Sequence, residues 1–128
     1  MKLGSLDYVI LIVEDIDRTV DFYKNILGLE VSHHAGEYVQ MFTGTTRLGF
    51  YTREAMSHIL NRKIVEPPEN SFKFEIGFKV DNVDQVYEKL LDKGVKGAVS
   101  PTTRPWGQRT AYIYDPDRNL IELAQDHV

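Results

Sequence analysis

One pattern of strands and a helix occurs twice along this 128-residue chain. The letters VEDID at 13–17 return as VDNVD at 80–84, a shift of 67, and TRLGF at 46–50 matches NLIEL at 119–123, a shift of 73. Each half is too small to bury a good core alone, so the halves must share a surface. The repeat therefore predicts an α+β fold in which two tandem βαβββ modules form a curved mixed sheet around a central cavity.

The boundary between the modules is expected in a polar linker. Residues 61–70 contain the pair Pro67-Pro68 and little apolar periodicity, which is typical of a connecting segment. We place the first module at 1–66 and the second at 67–128, within one compact domain.

Alternation, helical spacing and turn residues predict the elements of both modules. The predicted strands are 6–13, 29–34, 37–43, 46–52, 71–80, 96–102, 108–115 and 119–124. The predicted helices are one capped at Asp15 or Asp17 and stopped by Gly28, a short one at 53–60, and one at 81–94.

Composition and charge exclude several classes of protein. Cysteine is absent, which excludes disulfides, cysteine-bound zinc and thiol nucleophiles. The net charge of −4 argues against general nucleic-acid binding. The longest uncharged apolar run, Tyr8 to Val13, is far shorter than the ~20 residues of a membrane span, and no signal peptide is visible. We expect a cytoplasmic protein with no nucleic-acid or membrane partner.

The strand pattern and the repeat select four related positions on the sheet faces that are not covered by a helix. They are Tyr8, Gly49, Glu75 and Glu122. Two are carboxylates within apolar strands, where burial is costly unless the group is paired, protonated or bound to a cation. This favours a functional site. The alternatives are strand ends in water, or ion pairs with Arg47, Lys73 or Lys79.

Three stretches of the chain resemble the glyoxalase / bleomycin-resistance / extradiol-dioxygenase superfamily, the vicinal oxygen chelate proteins. LDYVILIVEDIDRTVDFYKNILGLEV resembles the opening module, FEIGFKVDNVDQVYEKLLDKG the start of the second, and PWGQRTAYIYDPDRNLIEL the closing hairpin. Together they cover almost the whole chain in the expected order. The resemblance implies the fold that the repeat predicts.

The resemblance also implies a metal site at the four related positions, from which this chain departs. The usual histidines fall on Tyr8 and Glu75, a position that is glutamate in some members falls on Gly49, and only Glu122 keeps its usual type. Iron, nickel and zinc favour imidazole together with carboxylate. We expect no cofactor. If a metal binds, the resemblance implies a weakly held divalent ion on Glu75 and Glu122.

The four histidines do not supply the missing ligands. His33 and His34 are neighbours in a strand and point to opposite faces, His58 lies in the short helix, and His127 is in the tail. We expect all four at the surface.

Departure from the metal pattern resembles the drug-binding branch of the superfamily, which stacks planar ligands on aromatic residues. The expected function is metal-independent binding of a small molecule, a drug or a metabolite, by a homodimer. The expected ligand-binding residues are Tyr8, Arg47, Glu75, Trp106, Tyr112 and Glu122. Arg47 would either neutralise a glutamate or hold a ligand carboxylate, and the sequence does not choose.

Two other functions stay open at this point, so the sequence does not decide whether the protein is an enzyme. One is a metal-dependent lyase, isomerase, transferase or dioxygenase of the same superfamily. The other is a metal-free acid/base enzyme in which Glu75 and Glu122 raise each other's proton affinity. No catalytic residue is assigned.

Overall fold

The computed structural model describes residues 1–126, which form two compact units that meet between Glu66 and Pro67 in the chain. The first unit contains β1 (Tyr8–Val13), α1 (Ile16–Asp21), a π-helical turn (Phe22–Ile26), β2 (Val31–Ala35), β3 (Tyr38–Met41), β4 (Arg47–Thr52) and α2 (Arg53–Leu60). The second contains β5 (Glu75–Lys79), α3 (Val83–Asp92), β6 (Gly97–Thr103), β7 (Arg109–Tyr114) and β8 (Leu120–Gln125). The prediction for His127 lies outside the described residues.

Each unit contains one mixed sheet of four strands. The order is β1-β4-β3-β2 in the first unit and β5-β8-β7-β6 in the second. In both, the first strand runs parallel to the last, and the other pairs are antiparallel. This confirms the α+β class and the tandem βαβββ modules. None of the helices in residues 1–126 combines the length and apolarity that a membrane span needs.

The core of the first unit lies between its sheet and α1 with the π-helical turn. Leu11 of β1 and Phe50 of β4 are buried, as the alternation predicts, and Phe22 and Tyr23 are buried on the helical side. The rings of Tyr23 and Phe50 lie 4.8 Å apart between centroids. One face of this sheet is thereby closed.

The second unit repeats this arrangement with α3. Asn82 caps the helix by accepting a hydrogen bond from the amide of Gln85, as its residue type favours. Val83 and Leu90 of α3 are buried, together with Ile113 and Ile121 of the sheet. The helix therefore covers one face of the sheet and leaves the other face for polar side chains.

A buried carboxylate fixes the turn between β7 and β8. Asp115 is 4% exposed, and its Oδ1 accepts hydrogen bonds from the backbone amides of Asp117 and Asn119. Arg118 adopts a positive φ of 65° within this turn. The predicted turn is confirmed, and it sets the register that pairs Tyr112 with Glu122.

The structure corrects two predicted elements. The first helix is not one continuous α-helix, since a π-helical turn follows Asp21 and the amide of Leu27 bonds to the carbonyl of Phe22. The strand predicted at 71–80 extends only over Glu75–Lys79. Its partner β8 begins at Leu120, opposite Glu75, so residues before Glu75 find no ladder partner in this sheet.

Candidate functional site

The face of the first sheet opposite its core carries the side chains that alternate with the buried ones. On β4 these are Arg47, Gly49 and Tyr51, and on β1 they begin with Tyr8, which is 52% exposed. We call this the open face of the first sheet. On β4, Arg47 is exposed, Tyr51 is half-buried and Gly49 is buried, while Leu48 and Phe50 between them are buried on the opposite face.

Tyr38 of β3 fills the space beside Gly49 on this open face. A Cβ atom built on Gly49 would lie 2.6 Å from the Tyr38 Oη and 2.8 Å from its Cε1. Real Cβ atoms do not approach other atoms this closely. Gly49 therefore has a steric reason to be glycine, and the phenol occupies the place that a side chain from β4 would take.

Tyr38 belongs to a cluster of phenols next to a guanidinium group. Its ring lies 4.7 Å from the ring of Tyr51 between centroids. Burial raises the pKa of Tyr38, the phenols of Tyr51 and Tyr8 raise it further, and Arg47 lowers it in part. The phenol of Tyr38 is therefore protonated at neutral pH and has an O–H that a ligand acceptor could use.

Arg47 pairs with a neighbour in its own unit. Its Nη1 lies 3.5 Å from Oδ2 of Asp7, and both side chains are about half exposed, at 45% and 63%. A long, exposed ion pair of this kind is weak.

The open face of the second sheet carries the two predicted carboxylates. Tyr112 on β7 lies directly opposite Glu122 on β8, and its hydroxyl donates a 3.0 Å hydrogen bond to Glu122 Oε2. The Glu122 carboxylate also lies over Gly77, where a Cβ would come within 3.3 Å of Oε1. Glu75, two residues before Gly77, is exposed on the same face.

Tyr112 links the two carboxylates electrostatically. Burial raises the pKa of Tyr112 to about 12, with further contributions from the hydrogen bond to Glu122 and from the charges of Glu122 and Glu75. Both carboxylates therefore act on one phenol. Its proton stays in place at neutral pH, and the hydroxyl serves as a hydrogen-bond donor between two acceptors.

Trp106 is 68% exposed and is oriented by a chain of polar contacts in the second unit. Its Nε1 donates to Gln108 Oε1 at 2.8 Å, and Gln108 Nε2 donates to Asp126 Oδ1 at 2.9 Å. The same Asp126 oxygen accepts a 2.5 Å hydrogen bond from Lys79 Nζ. Lys79 thus pairs with Asp126 rather than with a glutamate of the site.

The structure brings the predicted residues into two groups. Glu75, Tyr112 and Glu122 form one group in the second unit, whereas Tyr8 and Arg47 join Tyr38 in the first. Trp106 contacts neither group through its indole nitrogen, which bonds to Gln108. The histidines at positions 33, 34 and 58 are exposed, as predicted.

Sequence reasoning missed Tyr38, although a signal for it was present. A glycine in the middle of an apolar strand often marks the close approach of another group. Gly49 is such a glycine, and the approaching group is the phenol of Tyr38.

Comparison with known proteins places these features in a family. Residues 6–126 match the family described as glyoxalase-like domain. The uncharacterized protein YraH of Bacillus subtilis is 40% identical over 118 residues, which cover 88% of this chain and 91% of the relative. A bleomycin resistance protein of Geobacillus stearothermophilus is 25% identical over 88% of this chain and 90% of its own. A probable lactoylglutathione lyase of Synechocystis is 27% identical over 88% of each chain.

The fold has counterparts among solved structures. A glyoxalase/bleomycin resistance protein/dioxygenase family enzyme from Burkholderia phytofirmans superposes with a TM-score of 0.84, covering 95% of this chain and 98% of the other. The two sequences are 24% identical, so the likeness concerns the fold alone.

Proposed function

The chain belongs to the glyoxalase-like domain family, and within this family we propose that it binds a small molecule, a drug or a metabolite, without a metal ion. The observation that carries the proposal is the contact between Tyr38 and Gly49. Where the superfamily resemblance implies a ligating side chain, this chain has a glycine whose side-chain space is filled by a neighbouring phenol.

The donor chemistry at the other positions supports the same conclusion. Tyr8 replaces an imidazole, and a phenol is a poor metal ligand unless it ionises. The raised pKa of Tyr38 and the pKa of about 12 for Tyr112 keep both neighbouring phenols protonated. No three His, Cys, Asp or Glu residues within residues 1–126 are grouped so that they could hold an ion. These residues do not fit the metal site that the resemblance implies.

Glu122 keeps the usual residue type of its position but has another partner. Its carboxylate accepts the hydrogen bond from the Tyr112 hydroxyl, which uses one of its lone pairs. A cation at Glu122 would have to compete with this bond. In the proposed function, Glu122 and Glu75 instead accept hydrogen bonds from a ligand or attract its positive charge.

Binding without a metal is tested by titrating planar compounds before and after treatment with a chelator. Trp106 fluorescence and the melting temperature report binding. We expect at least one compound to raise the melting temperature equally in both samples, and the Glu75→Gln variant to change the preference for charged ligands. A broad panel that leaves both signals unchanged, or binding that the chelator abolishes, would overturn the proposal.

A metal-dependent enzyme is the second candidate, because Glu122 is retained and one relative is named a probable lactoylglutathione lyase. This candidate requires a divalent ion held through Glu75 and Glu122. It predicts that Glu122→Gln lowers the bound metal content, with Glu88→Gln on the exposed side of α3 as the matched control.

We further propose that the protein acts in the cytoplasm as a homodimer. Sedimentation equilibrium tests the second part, with an expected mass of twice the 14.7 kDa of one chain. A single species at the mass of one chain, at micromolar concentration, would show that the dimer is not formed.

A further inference from the structure

The open face of the first sheet differs in charge from that of the second. On β1 and β4, its positions hold Tyr8, Ile10, Ile12, Arg47, Gly49 and Tyr51. Its only charged side chain on these two strands is a guanidinium group, whereas β5 and β8 of the second open face carry two carboxylates together with Lys79, whose ammonium group is paired with Asp126. A ligand carboxylate therefore meets a half-exposed guanidinium group on the first face and two carboxylates on the second.

The aromatic residues on this face form a platform. Tyr38 and Tyr51 have their ring centroids 4.7 Å apart at an interplanar angle of 42°. Because Gly49 has no side chain, the Tyr38 ring approaches the backbone of β4 closely. Tyr8 lies opposite Arg47 in the register of β1 and β4, is 52% exposed and leaves ring surface accessible. Accessible aromatic ring surface of this kind favours contact with another flat ring.

Arg47 supplies the charge at this platform. Arg47 lies opposite Tyr8 in the register of β1 and β4, and it shares a face of β4 with Gly49, over which the Tyr38 phenol lies. Its partner Asp7 is 3.5 Å away, and both groups are half exposed. The pair is weak in water, so a ligand carboxylate that engages two of the three guanidinium nitrogens can replace Asp7.

We propose that the open face of the first sheet binds a planar aromatic carboxylate, whose ring stacks on Tyr8 and Tyr38 and whose anionic group pairs with Arg47. This inference rests on the proposed function, since it names the ligand class that a metal-free site would accept. It also chooses between the two alternatives that the sequence left open for Arg47.

Two probes with the same ring and opposite charge test the inference, namely 2-naphthoate and 2-naphthylmethylammonium. Binding is measured by calorimetry, and amide chemical shifts identify the residues involved. We expect 2-naphthoate to bind and to shift the amides of Tyr8, Tyr38 and Arg47. We expect the ammonium probe to leave these amides unchanged.

Three variants separate recognition from folding. Arg47→Gln should weaken 2-naphthoate binding about tenfold, and Arg47→Lys should weaken it less, because lysine keeps the charge but not the planar fork. Asp7→Asn should tighten binding about two- to threefold, since it removes the internal competitor for the guanidinium group. A purely structural role of the pair predicts the reverse for Asp7→Asn. Melting temperatures confirm that each variant is folded.

The outcomes distinguish this inference from the proposed function. If only the ammonium probe binds, or if 2-naphthoate shifts the amides of Glu75 and Glu122 instead, the inference is overturned while metal-free binding stands. If neither probe binds at millimolar concentration, the inference is overturned, and the compound panel described above then decides the proposed function. An unchanged affinity in Arg47→Gln also overturns it.

Discussion

The absence of a side chain at Gly49 lets the Tyr38 ring pack closely against β4. A methyl group at Gly49 would overlap the Tyr38 ring, with 2.6 Å to its Oη, so Gly49→Ala should lower the free energy of unfolding by about 1–3 kcal/mol. In a Tyr38→Ala background, Gly49→Ala should lower the free energy of unfolding much less. Urea unfolding of the unchanged protein, the two single variants and the double variant measures the coupling energy, which we expect to exceed about 1 kcal/mol.

Gly77→Ala is the matched control, because Gly77 lies on the open face of the second sheet. There the nearest atom to an added Cβ is the Glu122 Oε1 at 3.3 Å, the end of a flexible side chain that can move. Gly77→Ala should therefore lower the free energy of unfolding by less than Gly49→Ala does. Additive effects of the Gly49 and Tyr38 changes, within about 0.5 kcal/mol, would mean that the two residues do not compete for space.

Tyr112 makes the free energy of unfolding depend on pH in the alkaline range. Its pKa is raised from 10.0 to about 12 in the folded state, first by burial and then by Glu122. The stabilisation is full below pH 10 and is lost as the pH rises towards 12, because the unfolded chain loses the proton first. Tyr112→Phe should remove this part of the decline. Urea unfolding between pH 8 and 11.5 measures it, and equal slopes in the two proteins would refute the prediction.

At the scale of elements, a bidentate ion pair joins α3 to its sheet. Arg109 on β7 donates from Nε and Nη2 to the two carboxylate oxygens of Asp84, at 2.7 and 2.8 Å. Its Nη1 donates to Thr103 on β6. Arg109→Lys should lower the melting temperature although the charge is kept, because lysine cannot form the fork. The exposed Arg62→Lys is the control, and an equal shift in both variants would contradict this role.

The ion pair of Arg109 and Asp84 also makes the stability of the protein depend on pH in the acid range. The hydrogen bond from Arg109 lowers the pKa of Asp84, so the stabilisation is present above about pH 4 and is lost as the pH falls through the folded-state pKa. Asp84→Asn should therefore flatten the acid decline in melting temperature between pH 5 and 2.5. If the melting temperature of Asp84→Asn falls as steeply as that of the unchanged protein, the decline is caused by other carboxylates.

The sequence predicts a helix start or a turn well where the contacts that form it lie within a few residues of one another. Asn82 as a helix cap and the Asp115 turn are formed by contacts within five residues, so their residue types sufficed. The strand before Glu75 was overestimated because alternation does not reveal where a neighbouring strand begins. Phe72 continues the apolar pattern but stacks on Tyr114 at 6.2 Å between centroids instead.

At the scale of the whole molecule, the repeat is the feature that the sequence predicted most fully. Matching letters in the two halves correspond to matching strands in two sheets of the same order. The candidate site was predicted less completely. The pairing of Tyr112 with Glu122 follows from counting residues across a turn, whereas the contact of Tyr38 with Gly49 depends on a diagonal reach between strands. Such a contact has no fixed spacing along the chain.

Metal-free binding is tested most directly by the metal content of the whole protein, purified without chelator and measured by elemental analysis. Thermal shifts on adding Mn²⁺, Ni²⁺, Zn²⁺ or Fe²⁺ complete the measurement. Metal-free binding predicts less than roughly a tenth of an equivalent of any divalent ion and no thermal shift. One equivalent of bound metal that disappears in Glu122→Gln would contradict it.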